Sequence, residues 1–262
     1  MLKLITHFHF AALALVLLFA ACTTVPVTGR KAMHIYPEGE IARMAVSQFE
    51  DLKKETPLST DPELNARVQR VGQRIARVAA YDLPNAEWEF VVFDDPEQIN
   101  AFAMPGGKVA VYTGLFKVAQ TDADLAVVIG HEIAHVVARH ASERVSQQIL
   151  AAGGTLALAV GTRDMDAGQR RLILAGVGLG TTVGVMLPYS RLHESEADAI
   201  GILYSAEAGY DPRAAIGFWE RMAAEKSDSP PELLSTHPSD ATRIRKLHAL
   251  MPEAVAIYEA GL

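Results

Sequence analysis

Val128-Ile129-Gly130-His131-Glu132-Ile133-Ala134-His135-Val136-Val137 decides the reading of this chain. It is a His-Glu-x-x-His pattern inside an apolar run, which predicts a helix. At 3.6 residues per turn, positions four apart share a face, so His131 and His135 present two imidazoles to one metal ion. Glu132 stands one position further round, near enough to touch a water on that ion without ligating it. Two neutral nitrogen donors and a carboxylate base make half of a zinc hydrolase site. Zinc lowers the pKa of water toward neutrality, and the glutamate takes the proton as that water attacks a carbonyl. The bland alternative is two surface histidines with an ordinary glutamate between them. It fits poorly, because Ile129, Ile133, Val136 and Val137 make this an apolar helix, where unpartnered polar groups are costly.

The chain has 262 residues, 50% hydrophobic and 21% charged, which is long enough for one sizeable core. Its formal charge is −7, or −8 without residues 1–22, which carry Lys3 and no acid. A mildly acidic chain without a basic stripe argues against nucleic-acid binding. Cys22 is the only cysteine, so neither a disulfide framework nor a cysteine-rich zinc site is available.

Residues 1–22 read as a secretory leader: one lysine, an apolar run from Phe8 to Ala21, then Cys22. The run is short for a spanning helix. Phe19-Ala20-Ala21-Cys22 resembles a bacterial lipobox, with Phe19 where leucine is usual. The resemblance makes Cys22 the lipidated first residue of the mature chain. Thr23 after it, with no aspartate there, resembles lipoproteins sent to the outer membrane. Acyl chains on one residue hold a protein at a bilayer without any spanning segment.

Residues 23–36 are expected as a tether, and residues 37–262 as a single domain. Pro37 to Glu55 reads as a helix ended by Thr56-Pro57. Asp61-Pro62 opens a second one, with Leu64, Val68, Val71, Ile75 and Val78 as its core stripe. Trp88 to Phe93 is a strand candidate. Ile99 to Met104 and Lys108 to Tyr112 read as two strands about Pro105-Gly106-Gly107. An edge strand at Asn100, Ala101 and Phe102 could bind extended substrate through main-chain hydrogen bonds. Thr121 and Asp124 open the His131 helix as a capping box, and that helix is expected to run through Arg139 toward Gln148. The apolar, Gly/Ala-rich segment 149–187 is interrupted by charges and short for bilayer crossing. It is expected as buried helices or as a helical hairpin over the active-site cleft, with membrane contact the alternative. Gly176, Gly178 and Gly180 lack a dinucleotide-loop register.

A catalytic zinc site needs a third protein ligand. His140 follows His135 by five residues and would point off the ligand face. Ala138 and Ala141 occupy the places where a metzincin has its glycine and third histidine. Arg191-Leu192-His193-Glu194-Ser195-Glu196-Ala197-Asp198 is the better source. Glu194 and Asp198, four apart, share a face. Glu194 would ligate while Asp198 accepts the free ring N–H of His131. Glu196 is the fallback ligand, His193 is expected at the surface, and acids in a first helical turn could merely favour the helix dipole.

His131-Glu132-x-x-His135 followed by Glu194-x-x-Ala197-Asp198 resembles the gluzincin arrangement of metallopeptidase family 48, the CAAX prenyl protease and HtpX-type peptidases. Val25-Pro26-Val27-Thr28-Gly29-Arg30, Asn100-Ala101-Phe102 with Pro105-Gly106-Gly107, and Ser235-Thr236-His237-Pro238 extend the resemblance. It implies one zinc ion on His131, His135 and Glu194, with Glu132 as general base. It also implies a role for His237 at the metal, as a removable fourth ligand or a donor to the oxyanion. Phe218, Trp219, Ile244 and Leu247 are expected in the core, and Arg243 is a candidate to reach the site. The fold expected is a mainly helical α+β, zincin-like core with a small sheet on the His131 helix. The function expected is an envelope endopeptidase at the periplasmic side of the outer membrane, cleaving misfolded or misassembled proteins. The rivals are a lipid-anchored chaperone with a latent zinc site and a cytosolic hydrolase with an uncleaved leader.

Overall fold

The computed structural model of the chain describes residues 22–181, 186–225, 231–237 and 241–261. The leader core, Pro238 and Ser239 lie outside them. A hairpin opens the described chain, β1 (Cys22–Thr24) paired antiparallel with β2 (Lys31–Met33). Val25 and Ala32 are buried in the main core and Cys22 is exposed. From Val25 onward, the segment expected as a tether is therefore docked on the domain.

Helix α1 (Glu38–Glu55) ends at Thr56 as expected. In α2 (Pro62–Ala79), the Asp61 side chain accepts from the backbone N–H of Glu63 and Leu64, with Pro62 in the first turn. Strands β3 (Glu89–Phe93), β4 (Ala101–Met104) and β5 (Lys108–Tyr112) form a sheet in the order β3-β5-β4. The β3-β5 pair is parallel and the β4-β5 pair antiparallel. Every residue of β5 is buried. Val109 and Val111 join the main core, while Ala110 and Tyr112 meet Phe49, Phe93 and Phe102 on the other face. This period-2 alternation lets one strand serve two layers. β4 remains as an outer strand.

Thr121 and Asp124 close a reciprocal capping box on α3 (Asp122–Val137), which is buried around nearly its whole circumference. The expected continuation into the Ser142 region is overturned. Arg139 takes a left-handed conformation, φ 55°, just past the C-cap Ala138, and α4 (His140–Gly161) starts a new direction. α5 (Ala167–Thr181) packs on α4. The expectation of buried helices here is also overturned, since Leu156 is 66% and Leu172 75% exposed. No described helix is long and apolar enough to cross a membrane.

α6 (Leu187–Glu207) crosses α3 at backbone contact. A Cβ on Gly201 would stand 2.7 Å from the His131 backbone nitrogen, and one on Gly130 would stand 2.5 Å from Ser205 Oγ. Gly209, φ 80°, ends α6. α7 (Ala214–Ala224) places Phe218 and Trp219 in the core, α8 (Glu232–Thr236) is short, and α9 (Ala241–Ala260) buries Leu247. The architecture is mainly helical α+β.

Candidate metal centre

The one-turn spacing in α3 brings the rings of His131 and His135 to a centroid distance of 4.7 Å. Each ring is turned by the bond behind it. His131 Nδ1 lies 2.9 Å from Asp198 Oδ1, and His135 Nδ1 lies 2.7 Å from His140 Nδ1. The two Nε2 atoms therefore face each other at 3.1 Å. Glu194 reaches them from α6, with Oε2 3.2 Å from His131 Nε2 and Oε1 3.5 Å from His135 Nε2. His237 Nδ1 stands 3.2 Å from His131 Nε2 and 2.8 Å from Glu194 Oε2. All four donor atoms lie within 4.8 Å of one another. Tetrahedral zinc with bonds of about 2.0–2.1 Å sets neighbouring donors about 3.3 Å apart. The donor set and its spacing fit that ion.

The charges fit as well. Burial and Arg243 push the His131 imidazole toward neutrality, but Asp198 and Glu194 outweigh them and raise it to about 9 in the metal-free chain. Burial and the neighbouring His131 charge hold His135 well below the ordinary imidazole range. Burial alone would raise Glu194 and Asp198. Hydrogen bonds from His131 and His237 hold Glu194 far below the carboxylate range, and Arg243 with His131 lowers Asp198. A pocket that keeps these carboxylates ionised stabilises a cation between its donors.

Glu132 is buried outside the donor group. Its Oε2 accepts from the Ala103 backbone N–H at 3.2 Å, and Oε1 has no hydrogen-bond partner among the described residues. His237 Nε2 stands 3.4 Å from that oxygen. The contact with Ala103 ties Glu132 to β4. Because the Asn100 carbonyl accepts from Tyr112 N–H on β5, alternation turns the backbone of Ala101 and Ala103 outward. The outward N–H of Ala101 is covered by Asn100 Oδ1 at 2.9 Å. A cleft of about 210 Å³ runs along this edge, lined by Asn100, Phe102, Glu132, His135, Arg139 and His237 among others. Ala103 was missing from the expected edge residues, and the Phe102 ring packs against Phe49, Phe93 and Tyr112. No described residue of 149–181 lines the cleft.

The structure also sorts the acids of α6. The helix starts at Leu187, so Glu194 lies well beyond its first turn and the dipole explanation does not apply. Glu196 faces away from the donors and meets Arg30 and His140. His193, expected at the surface, is buried with Nε2 2.9 Å from Glu143 Oε2. Arg243 reaches Asp198 at 2.6 Å with its guanidinium carbon 3.4 Å from the centre of the Trp219 ring. Sequence reasoning missed the joint role of Arg30, His140, Glu143 and Glu196. The one signal in the chain is the Val25 to Arg30 stretch.

The profile of peptidase family M48 matches residues 62–251. The mitochondrial metalloendopeptidase OMA1 of Schizosaccharomyces pombe is 34% identical over 233 residues, 88% of this chain and 66% of that protein. A putative beta-barrel assembly-enhancing protease of Vibrio cholerae is 35% identical over 202 residues, 74% of this chain and 40% of its own length. The beta-barrel assembly-enhancing protease of Escherichia coli K12 is 32% identical over 228 residues, 84% and 46% respectively. The chain thus spans between 40% and 66% of the length of these relatives. With the profile covering both α3 and the Glu194 helix, the chain belongs to peptidase family M48.

Proposed function

We propose that this chain is a zinc-dependent endopeptidase of the cell envelope, anchored through lipid on Cys22 at the periplasmic side of the outer membrane, that cleaves misfolded or misassembled envelope proteins. The observation that carries the reading is the convergence of His131, His135, Glu194 and His237, whose donor atoms lie within 4.8 Å of one another, with the Glu132 carboxylate just outside the set. Zinc, when held there, supplies a Lewis acid that polarises a carbonyl and acidifies water. Glu132 Oε1 takes the proton from the attacking water and passes it to the departing amine, while Ala103 N–H holds Oε2 still. Asp198 fixes the His131 tautomer, and Arg243 on Trp219 fixes Asp198. Substrate lies along β4, where outward backbone gives affinity tolerant of sequence and selective for extended chain. His237 would serve a bound zinc ion as a removable fourth donor, or the developing oxyanion as a hydrogen-bond donor.

The lipid anchor is supported by Phe19-Ala20-Ala21-Cys22 and by the exposure of Cys22, which lets acylation proceed without disturbing the core. The envelope setting is supported by the relatives named for beta-barrel assembly. His237 among the donors favours a second reading, an anchored chaperone or assembly factor whose zinc site stays closed.

Metal analysis of the purified full chain with casein digestion, with and without chelator, tests the first reading. Stoichiometric zinc and chelator-sensitive cleavage are expected. Zinc without cleavage, with cellular function intact in Glu132→Gln, would favour the second. Labelled palmitate that fails to attach to Cys22 would remove the anchor.

A further inference from the structure

His131 and His135 are oriented by different devices. Behind His131 stands a carboxylate, Asp198. Behind His135 stands a third imidazole, His140, whose own Nε2 lies 3.0 Å from Glu196 Oε2. A neutral imidazole has one N–H and one lone pair, and a carboxylate only accepts. His140 therefore donates from Nε2 to Glu196 and accepts at Nδ1. His135 must then donate from Nδ1, which leaves the lone pair of its Nε2 for the donor cluster. The reverse order would set the His140 Nε2 lone pair against Glu196 and turn an N–H of His135 into the cluster.

Glu196 is itself fixed. Arg30 holds its Oε2 through Nε at 2.8 Å and Nη2 at 2.6 Å, and the Thr28 hydroxyl donates to Oε1. The same guanidinium grips Glu143 through Nη1 at 2.9 Å and Nη2 at 2.7 Å. Glu143 accepts from His193, whose ring stacks on His140 with centroids 4.2 Å apart and planes 16° from parallel. His140 is thus held on its edge by Glu196 and on its face by His193, and both trace back to Arg30. The left-handed turn at Arg139 is what returns His140 to His135. Neither His140, Glu196 nor Arg30 belongs to the donor group.

We infer that Arg30, Glu196 and His140 are a positioning relay that sets the ring orientation and tautomer of His135, which makes the Thr28 to Arg30 arm a part of the metal centre. The inference rests on the zinc reading above. A bland role, stapling the arm to the domain, would alter stability and leave metal binding untouched.

The test uses the full chain, with zinc affinity from chelator competition, melting of the metal-free protein, and the ring-nitrogen NMR spectrum of His135 in the metal-free state. His140→Leu is expected to weaken zinc by about 10- to 100-fold. His140→Asn, whose Oδ1 accepts from His135 Nδ1–H, is expected to recover most of that loss. Arg30→Ala is expected to weaken zinc by about tenfold, with Arg30→Lys between it and the wild type because an ammonium cannot fork to two carboxylates. In the wild type, His135 carries its proton on Nδ1. Wild-type zinc affinity in a folded His140→Leu, or a proton on His135 Nε2, overturns the relay. The NMR result decides if the leucine variant does not fold. A wild-type chain that takes up no zinc overturns the relay and the zinc reading together, whereas zinc-loaded wild type with unaffected variants overturns the relay alone.

Discussion

Glu194 and Glu196 are two positions apart on α6, yet one meets the donor cluster and the other meets Arg30. Their substitutions should separate accordingly. Glu194→Ala removes a donor, and the purified variant is expected to hold no stoichiometric zinc. Glu196→Gln keeps all four donors, and zinc is expected to remain with affinity lower by about tenfold. Equal zinc loss in both variants would contradict the assignment of Glu194. Glu132 is tested by a different split. Glu132→Gln should retain zinc at wild-type stoichiometry while kcat on casein falls by about 10²- to 10⁴-fold. A variant that loses metal as well would make Glu132 a ligand instead of a base.

Among the elements, the crossing of α3 and α6 controls the distance between Glu194 and the histidines. It depends on two glycines where backbone meets backbone. In Gly201→Ala, a methyl 2.7 Å from the His131 nitrogen has no flexible side chain to push aside, so the helices must part. A loss of about 1–3 kcal/mol is expected in denaturant unfolding of the metal-free chain, together with weaker zinc binding. Gly153→Ala in α4 is the control, because a Cβ there meets nothing within 4 Å. Its helix interior should gain up to about 1 kcal/mol. If the two alanines behaved alike, the close crossing would not be what matters.

Over the whole molecule, the Arg30 network ties the N-terminal arm to α4 and α6. Burial pushes Glu143 up, but His193 and the Arg30 guanidinium pull it from 4.5 down to about 2. A carboxylate depressed on folding contributes stability that is present above its unfolded pKa and lost as pH falls through the folded one. The window therefore runs from about 4.5 down to about 2. The ionisable groups around Glu143 are Arg30 and His193, with Glu196 beyond Arg30, and His34 close enough to feel its charge. With chelator present, wild-type melting temperature should fall through that window more steeply than in Glu143→Gln, which should be less stable near neutral pH. Parallel melting curves would exclude this coupling.

Much of the local structure was legible in the chain itself. Asp61-Pro62, the Thr121 and Asp124 box and the strand from Lys108 to Tyr112 are written in short-range chemistry, and each element began where it was expected, although the helix after Thr121 stops at Val137. Helical spacing put Glu194 and Asp198 on one face, and packing brings that face to His131. What spacing could not give was anything set by a left-handed residue or by a distant arm. The turn at Arg139 carries no glycine to announce it, so His140 was read as pointing away when it stands behind His135. Arg30, Glu143 and Glu196 are far apart in the chain, and only folding sets their charges against one another. The exposed α4 and α5 pair reads as core by composition, but burial depends on which surfaces meet. Periodicity and capping are local and determine elements. The second layer of a metal site is a contact between elements, and only their packing decides it.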